Sequence, residues 1–277
     1  MKPLLLIALA LAVATPAAAD APTGPQTAGA VYPSAIAVVG GTVTTGYGSD
    51  PGHPFQEARA NSWATGTNPA VRSIYSRLLA VHPAVRGHAF NFGSHGVTVK
   101  DLPSQVRKAL ARTTKPGLVL VQIMDNDVRC DRKDNAARFA AYQARVTESL
   151  QTLATGLPTA RILAVSQWGT LDSYIKSVSS FGQGARLMHA SRGVCSIFAP
   201  GSGKVVPEHV GYVRRMNAGY DAAFKAACAS VPTCRYDGGA ARRLVLKPAD
   251  LSHRFDGLTL QGQAKLAAVE WKVLYGS

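Results

Sequence analysis

Four short stretches of this chain carry groups that could do chemistry together. The first is Ala35-Ile-Ala-Val-Val-Gly-Gly-Thr-Val-Thr-Thr-Gly-Tyr-Gly48. Ala35 to Val39 is an apolar run bounded by glycines, the pattern of a parallel strand buried on both faces. Gly40-Gly41-Thr42 then makes a turn from which the Thr42 hydroxyl projects. The second stretch, Gly93-Ser-His-Gly-Val-Thr98, offers His95 beside Gly96. The third, Met124-Asp-Asn-Asp127, offers the Asn126 amide beside the Asp127 carboxylate. The fourth, Asp250-Leu-Ser-His253, spaces a carboxylate and an imidazole three residues apart. The first three each follow a strand-like run, and in open α/β sheets the carboxyl edge of the strands is where ligands bind. A hydroxyl, a base and hydrogen-bond donors gathered at one edge are what acyl transfer through a nucleophilic oxygen requires.

The order of these stretches resembles the conserved blocks of the SGNH (GDSL) hydrolases. The family's first block reads Gly-Asp-Ser followed by a further glycine. Val38, Val39, Gly40, Gly46, Tyr47 and Gly48 match it, while Gly41 stands at the aspartate position and Thr42 at the serine nucleophile. The second block is matched by Asn91, Gly93, Gly96 and Thr98; the resemblance implies that the Gly96 N–H helps bind an oxyanion and that His95 lines the site. In the third block, Gly-x-Asn-Asp, Asn126 and Asp127 match and Met124 replaces the glycine. The resemblance makes Asn126 the second oxyanion donor and Asp127 a site residue.

The family's last block is Asp-x-x-His, with the histidine as general base. Leu258 to Ala267 matches the tail that follows it. Counting back from Gly262, the histidine position falls on Gly257 and the aspartate position on Arg254, yet a literal Asp-x-x-His stands four residues earlier as Asp250 and His253. Two readings stay open. In one, the loop has slipped and Asp250 with His253 still serve. In the other, the dyad is gone and the cleft binds without turnover.

The resemblance implies a three-layer α/β/α sandwich on a flavodoxin-like parallel sheet of about five strands, running as one domain over 35–277. Strands are expected at 35–39, 88–92, 118–123 and 161–167, with a weak fifth at 244–246. Helices are expected at 69–82, with Asn68 as cap, and at 101–112, 134–154 and 208–229. Trp168, at the end of the fourth strand, is expected to line the cleft or to belong to the core. Residues 170–207 are long for a connection and are expected to cover the site.

The start of the chain, Met1-Lys2-Pro3 followed by an apolar run and Ala17-Ala18-Ala19, reads as a secretory signal peptide over 1–19, with a flexible lead-in over 20–34. The expected location is therefore outside the cell or in the cell envelope. Four cysteines, Cys130, Cys195, Cys228 and Cys234, suit two disulfides in an exported chain. Of three possible pairings, a local Cys228–Cys234 staple is preferred, leaving Cys130 with Cys195. No CxxC pair occurs, so neither a metal nor another cofactor is expected.

The net charge of +14 would favour anionic surroundings such as a cell envelope. The positive residues are scattered, which reads first as a solvated surface, and no module interleaves them with aromatics as in nucleic-acid binders. The expected partner is a small-molecule, glycan or lipid ester, bound by a monomer. The two functions carried forward are a secreted ester hydrolase and a hydrolase-fold protein that binds a lipid or a cell-surface glycan.

Overall fold

A computed structural model describes residues 31–129, 131, 135–190 and 195–276. The signal-like segment and Cys130 lie outside them. Five strands form one sheet: β1 (Ile36–Gly40), β2 (Ala89–Asn91), β3 (Leu118–Gln122), β4 (Arg161–Ala164) and β5 (Cys234–Tyr236). Their order is β2-β1-β3-β4-β5 and every pairing is parallel.

The two faces of the sheet are read off alternate residues. Ile36, Val38, Leu118, Leu120 and Leu163 point into one core with α1 (Ile74–Val81), α4 (Leu171–Ser180) and α7 (Leu260–Tyr275). Ala37, Val39, Val119, Val121 and Ile162 point into the other with α2 (Leu102–Leu110), α3 (Asn135–Gly156) and α6 (Pro207–Ala229). The result is the expected three-layer sandwich. Among the described residues no helix is long and apolar enough to cross a membrane.

Two expected elements fall elsewhere. The fifth strand is Cys234–Tyr236, paired parallel to β4, and not 244–246. The backbone of Leu246 is instead taken by the side chains of α4: its N–H donates to Ser173 Oγ at 3.0 Å and its carbonyl accepts from Ser177 Oγ at 3.0 Å. A three-residue strand with an arginine at its centre has too little apolar pattern to stand out. Helix α1 starts five residues later than its apolar spacing suggests, because Ser73 caps it by accepting from Ser76 N–H at 3.0 Å.

The insertion after β4 carries α4 and α5 (Gln183–Ala190). Cys228 and Cys234 form a disulfide joining the end of α6 to β5. Cys195 is also disulfide-bonded; the Cys130 end of its expected pairing lies outside the described residues. Closing so short a loop still restricts the unfolded chain, so a Cys228→Ala/Cys234→Ala variant should lose about 2 kcal/mol of stability in denaturant unfolding. A loss near zero would mean that α6 and β5 hold their register without the crosslink.

Candidate active site

The tip of β1 is shaped by a contact that only glycine permits. Gly40 has φ 145°, and a Cβ there would lie 1.9 Å from the Gln122 carbonyl oxygen on β3. Buried Gln105 of α2 clamps the same residue, accepting from Gly40 N–H at 2.6 Å and donating to its carbonyl at 3.1 Å. The chain then enters a tight helical turn at Thr42–Thr45, ended by Gly46 in the left-handed region. Thr44 Oγ1 donates to Gly41 O at 2.7 Å and Thr45 Oγ1 to Thr42 O at 2.8 Å. Thr42 alone of the three threonines is left to face the cleft.

Two neighbouring loops reach Thr42. Asn126, just past β3, donates through Nδ2 to Val97 O at 3.1 Å and to Thr42 Oγ1 at 3.4 Å. The Val97 carbonyl thus orients the amide and leaves an N–H for the hydroxyl. From the loop after β2, His95 Nδ1 lies 3.2 Å from Thr42 Oγ1. Since Asn126 Nδ2 can only donate, the Thr42 proton is free to point at His95 Nδ1 in the tautomer that leaves that nitrogen unprotonated. No carboxylate orients this histidine among the described residues. Its ring instead lies flat on Tyr47, centroids 3.6 Å apart and planes 1° from parallel. Its backbone N–H donates to Glu57 at 2.7 Å. Glu57 in turn pairs with Arg59, whose other contacts hold Asn91 and Gly93.

Gly96 follows at φ 80°, and its N–H has no hydrogen-bond partner among the described residues. Asp127 turns away from the hydroxyl; its carboxylate accepts from Val99 N–H at 3.0 and 3.1 Å, and burial pushes its pKa up to about 6.

Asp250 and His253 are not brought together. Asp250 is fully buried, and its Oδ2 accepts from Lys265 Nζ at 2.6 Å and from Lys247 N–H at 2.7 Å. His253 is exposed and does not line the pocket; Phe255 and Asp256 do. The position that matches the family's histidine is closed. A Cβ on Gly257 would stand 2.7 Å from the Tyr47 carbonyl oxygen. The loop is drawn tight by Ser252, which accepts through Oγ from Gly257 N–H at 3.1 Å and donates its N–H to Gly257 O at 3.0 Å. Phe255 adopts φ 63°, a strained value for a bulky residue.

Thr42, His95 and Asn126 open on a cavity of about 410 Å³. Trp168, Val128, Leu171, Ile197, Val213 and Phe255 supply its apolar walls. Its floor carries a carboxyl group that the sequence reading passed over. Asp125 Oδ1 is buried with no hydrogen-bond partner, and Oδ2 lies 3.6 Å from where a Gly41 side chain would begin. Burial raises its pKa from 3.8 to about 6, outweighing the opposing pull of the Gln167 and Trp168 side chains and the Val43 N–H. The signal was present in the sequence: an acid stands at the one free position of the Met124–Asp127 motif, where Gly41 leaves room for it. Tyr47 and Glu57, which hold His95, had no such signal.

Solved structures share this architecture. A protein from Parabacteroides merdae described as a GDSL-like lipase aligns with 88% of this chain and 96% of its own, at 15% identity and a TM-score of 0.52. The lipase Lip_vut3 from a goat rumen metagenome aligns with 87% of this chain and 97% of its own, at 11% identity and a TM-score of 0.51. A carbohydrate esterase family 2 enzyme with a carbohydrate-binding domain, from Corynascus thermopiles (Myceliophthora fergusii), aligns with 92% of this chain and 68% of its own, at 11% identity and a TM-score of 0.55.

The fold is that of the SGNH/GDSL hydrolases. No protein-family model matches the chain, and no curated protein matches its sequence. Within the SGNH fold the strand tips hold Thr42 and Asn126 close together, and the tail helix reaches back to the same turn. Buried Gln263 of α7 donates to Val43 O at 3.1 Å and accepts from Trp63 N–H at 2.9 Å.

Two outcomes follow from this geometry. Gly257→His should not install a working base: its Cβ collides with backbone, so the variant should melt several degrees lower and gain no esterase activity. An active, undiminished Gly257→His protein would show that the loop opens freely. Asp125 has its pKa raised in the fold, so its contribution to stability is complete below about pH 3.8 and is lost as pH rises through about 6. Asp125→Asn should therefore be no more stable than wild type near pH 4 and more stable by about 1–2 kcal/mol at pH 7.5, measured by thermal unfolding across that range.

Proposed function

We propose that this protein acts on acyl or acetyl esters outside the cytoplasm, with Thr42 as nucleophile and His95 as the group that takes its proton. One observation carries the reading: the Thr42 hydroxyl sits between an imidazole nitrogen at 3.2 Å and an amide donor at 3.4 Å, and all three line one cavity with apolar walls beside them. In the first step Thr42 Oγ bonds to the ester carbonyl carbon and its proton passes to His95 Nδ1. The carbonyl oxygen gains charge facing the Asn126 amide and the Gly96 N–H. Collapse of the intermediate expels the alcohol, which leaves with the proton from His95. Water, deprotonated by the same nitrogen, then releases the acid and frees Thr42.

Turnover should be slow. The threonine methyl restricts the attacking rotamer, and stacking on Tyr47 holds the ring's plane but adds no charge to stabilise an imidazolium. A second reading, a cleft that binds a lipid or glycan ester without cleaving it, is favoured by the closure of position 257 beneath the Tyr47 carbonyl.

Hydrolysis of p-nitrophenyl acetate and butyrate separates these. The expected result is slow wild-type turnover, abolished in Thr42→Ala, lowered roughly 100-fold or more in His95→Ala, and changed less than about twofold in His253→Ala. Loss on His253→Ala with retention on His95→Ala would restore Asp250 and His253 as the working pair. Complete absence of turnover would leave the binding reading.

A further inference from the structure

A second cleft, of about 490 Å³, adjoins the candidate active site along the carboxyl ends of β4 and β5. The two share Gln167, Gly169, Leu171 and Asn217 as walls, so they lie side by side. Their chemistry differs. The first has apolar walls around Thr42, His95 and Asn126 and no lysine or arginine, whereas the second is lined by Arg214, Lys225, Arg242 and Arg243 against only Asp172 and Asp221.

Both carboxylates are already occupied. Asp172 pairs with Arg214 at 2.7 Å. Asp221 accepts from Arg242 at 2.8 Å and from the Tyr236 hydroxyl at 2.6 Å. Lys225 and Arg243 have no carboxylate partner among the described residues, and Arg243 is held by the Gly238 carbonyl at 2.7 Å. The floor is built in advance. Buried Asp237 accepts from the Ser166 N–H and hydroxyl and from the N–H groups of Gly239 and Ala241, at 2.7 to 3.1 Å. This fixes Gly238 and Gly239 at φ 69° and 77°, and a Cβ on Gly238 would meet nothing within 4 Å, so the cleft stays open above it.

Two cations without counter-charges in a walled cleft attract an anion more strongly than they would on a flat surface. A guanidinium fixed by a carbonyl offers its remaining N–H groups to phosphate or carboxylate oxygens. We infer that this cleft binds an anionic group, phosphate or carboxylate, on the alcohol side of the ester whose acyl part lies against the apolar walls of the first cavity. The substrate class is then an ester of an anionic alcohol. That assignment rests on the acyl-ester reading above; the anion site itself stands on the cleft alone.

Isothermal titration of the full protein with inorganic phosphate and with glycerol 3-phosphate, at constant ionic strength, tests this. The variants are Lys225→Ala/Arg243→Ala, Thr42→Ala and a charge-matched control on α2, Arg107→Ala/Lys108→Ala. Saturable binding is expected, weakened at least tenfold in the cleft variant and changed less than twofold in the control and in Thr42→Ala. Lys225→Glu alone, on the exposed side of α6, repeats the test without disturbing the Arg243–Gly238 contact.

Vesicles of phosphatidylglycerol, against phosphatidylcholine, distinguish the source of the anion. Cleft-dependent binding to the former without binding of either soluble phosphate assigns the site to a lipid headgroup. No saturable binding of any of these anions, or equal weakening in the control, overturns the inference. Saturable, cleft-dependent binding by a wild-type protein that cleaves no ester would remove the acyl-ester reading and leave the anion site standing.

Discussion

The approach of two strand tips is the constraint on which the rest of this structure depends. Gly40 ends β1 so close to the Gln122 carbonyl of β3 that no side chain fits between them. Because of that contact, the turn bearing Thr42 and the loop bearing Asn126 leave the sheet side by side. The neighbouring polar groups all serve the same junction. Gln105 clamps Gly40 from the α2 side. Gln122 accepts from the Trp63 indole at 3.1 Å, and Gln263 links Trp63 to the turn from the α7 side. These are buried amides satisfied by backbone groups and by the Trp63 indole, an arrangement that fixes geometry at low cost only while every member is paired.

Around that junction the site departs from the blocks it resembles. Where the resembled family places a base, the tail loop is drawn shut: Gly257 lies beneath the Tyr47 carbonyl and Phe255 is forced to positive φ. Asp250 faces inward to Lys265, a fully buried carboxylate engaged in holding α7 to its preceding loop. The imidazole near Thr42 arrives from the opposite side, on the loop after β2, and is held by ring stacking and by Glu57. The acid that the family carries on the β1 turn is absent, and Asp125 at the end of β3 offers a carboxyl to the same space. The Thr42 hydroxyl therefore has an amide and an imidazole for neighbours, the imidazole coming from a different segment than its motifs suggest.

The strands with strong apolar runs, Ile36–Gly40 and Leu118–Gln122, were legible because both faces of each are buried and the pattern is unbroken. Cys234–Tyr236 was not, since its place in the sheet comes from pairing with β4, while Leu244 to Leu246, more apolar, bonds to serines of α4 instead. Thr42, Gly96 and Asn126 were singled out by the order of the resembled blocks, each following a strand-like run. His95 was visible as a neighbour of Gly96 but not as a partner of Thr42, because nothing local records that Tyr47 offers it a stacking face.

By itself the sequence determined the buried strands and the glycine turns that follow them, since unbroken apolar runs and the backbone needs of glycine are local properties, while the layering came from the family resemblance. Tertiary structure alone decided which imidazole meets the hydroxyl, which acid is left unpaired in the pocket, and whether position 257 can hold a side chain. Those depend on distances between segments far apart in the chain, set by how the helices close on the sheet, and residue spacing within any single segment does not encode them.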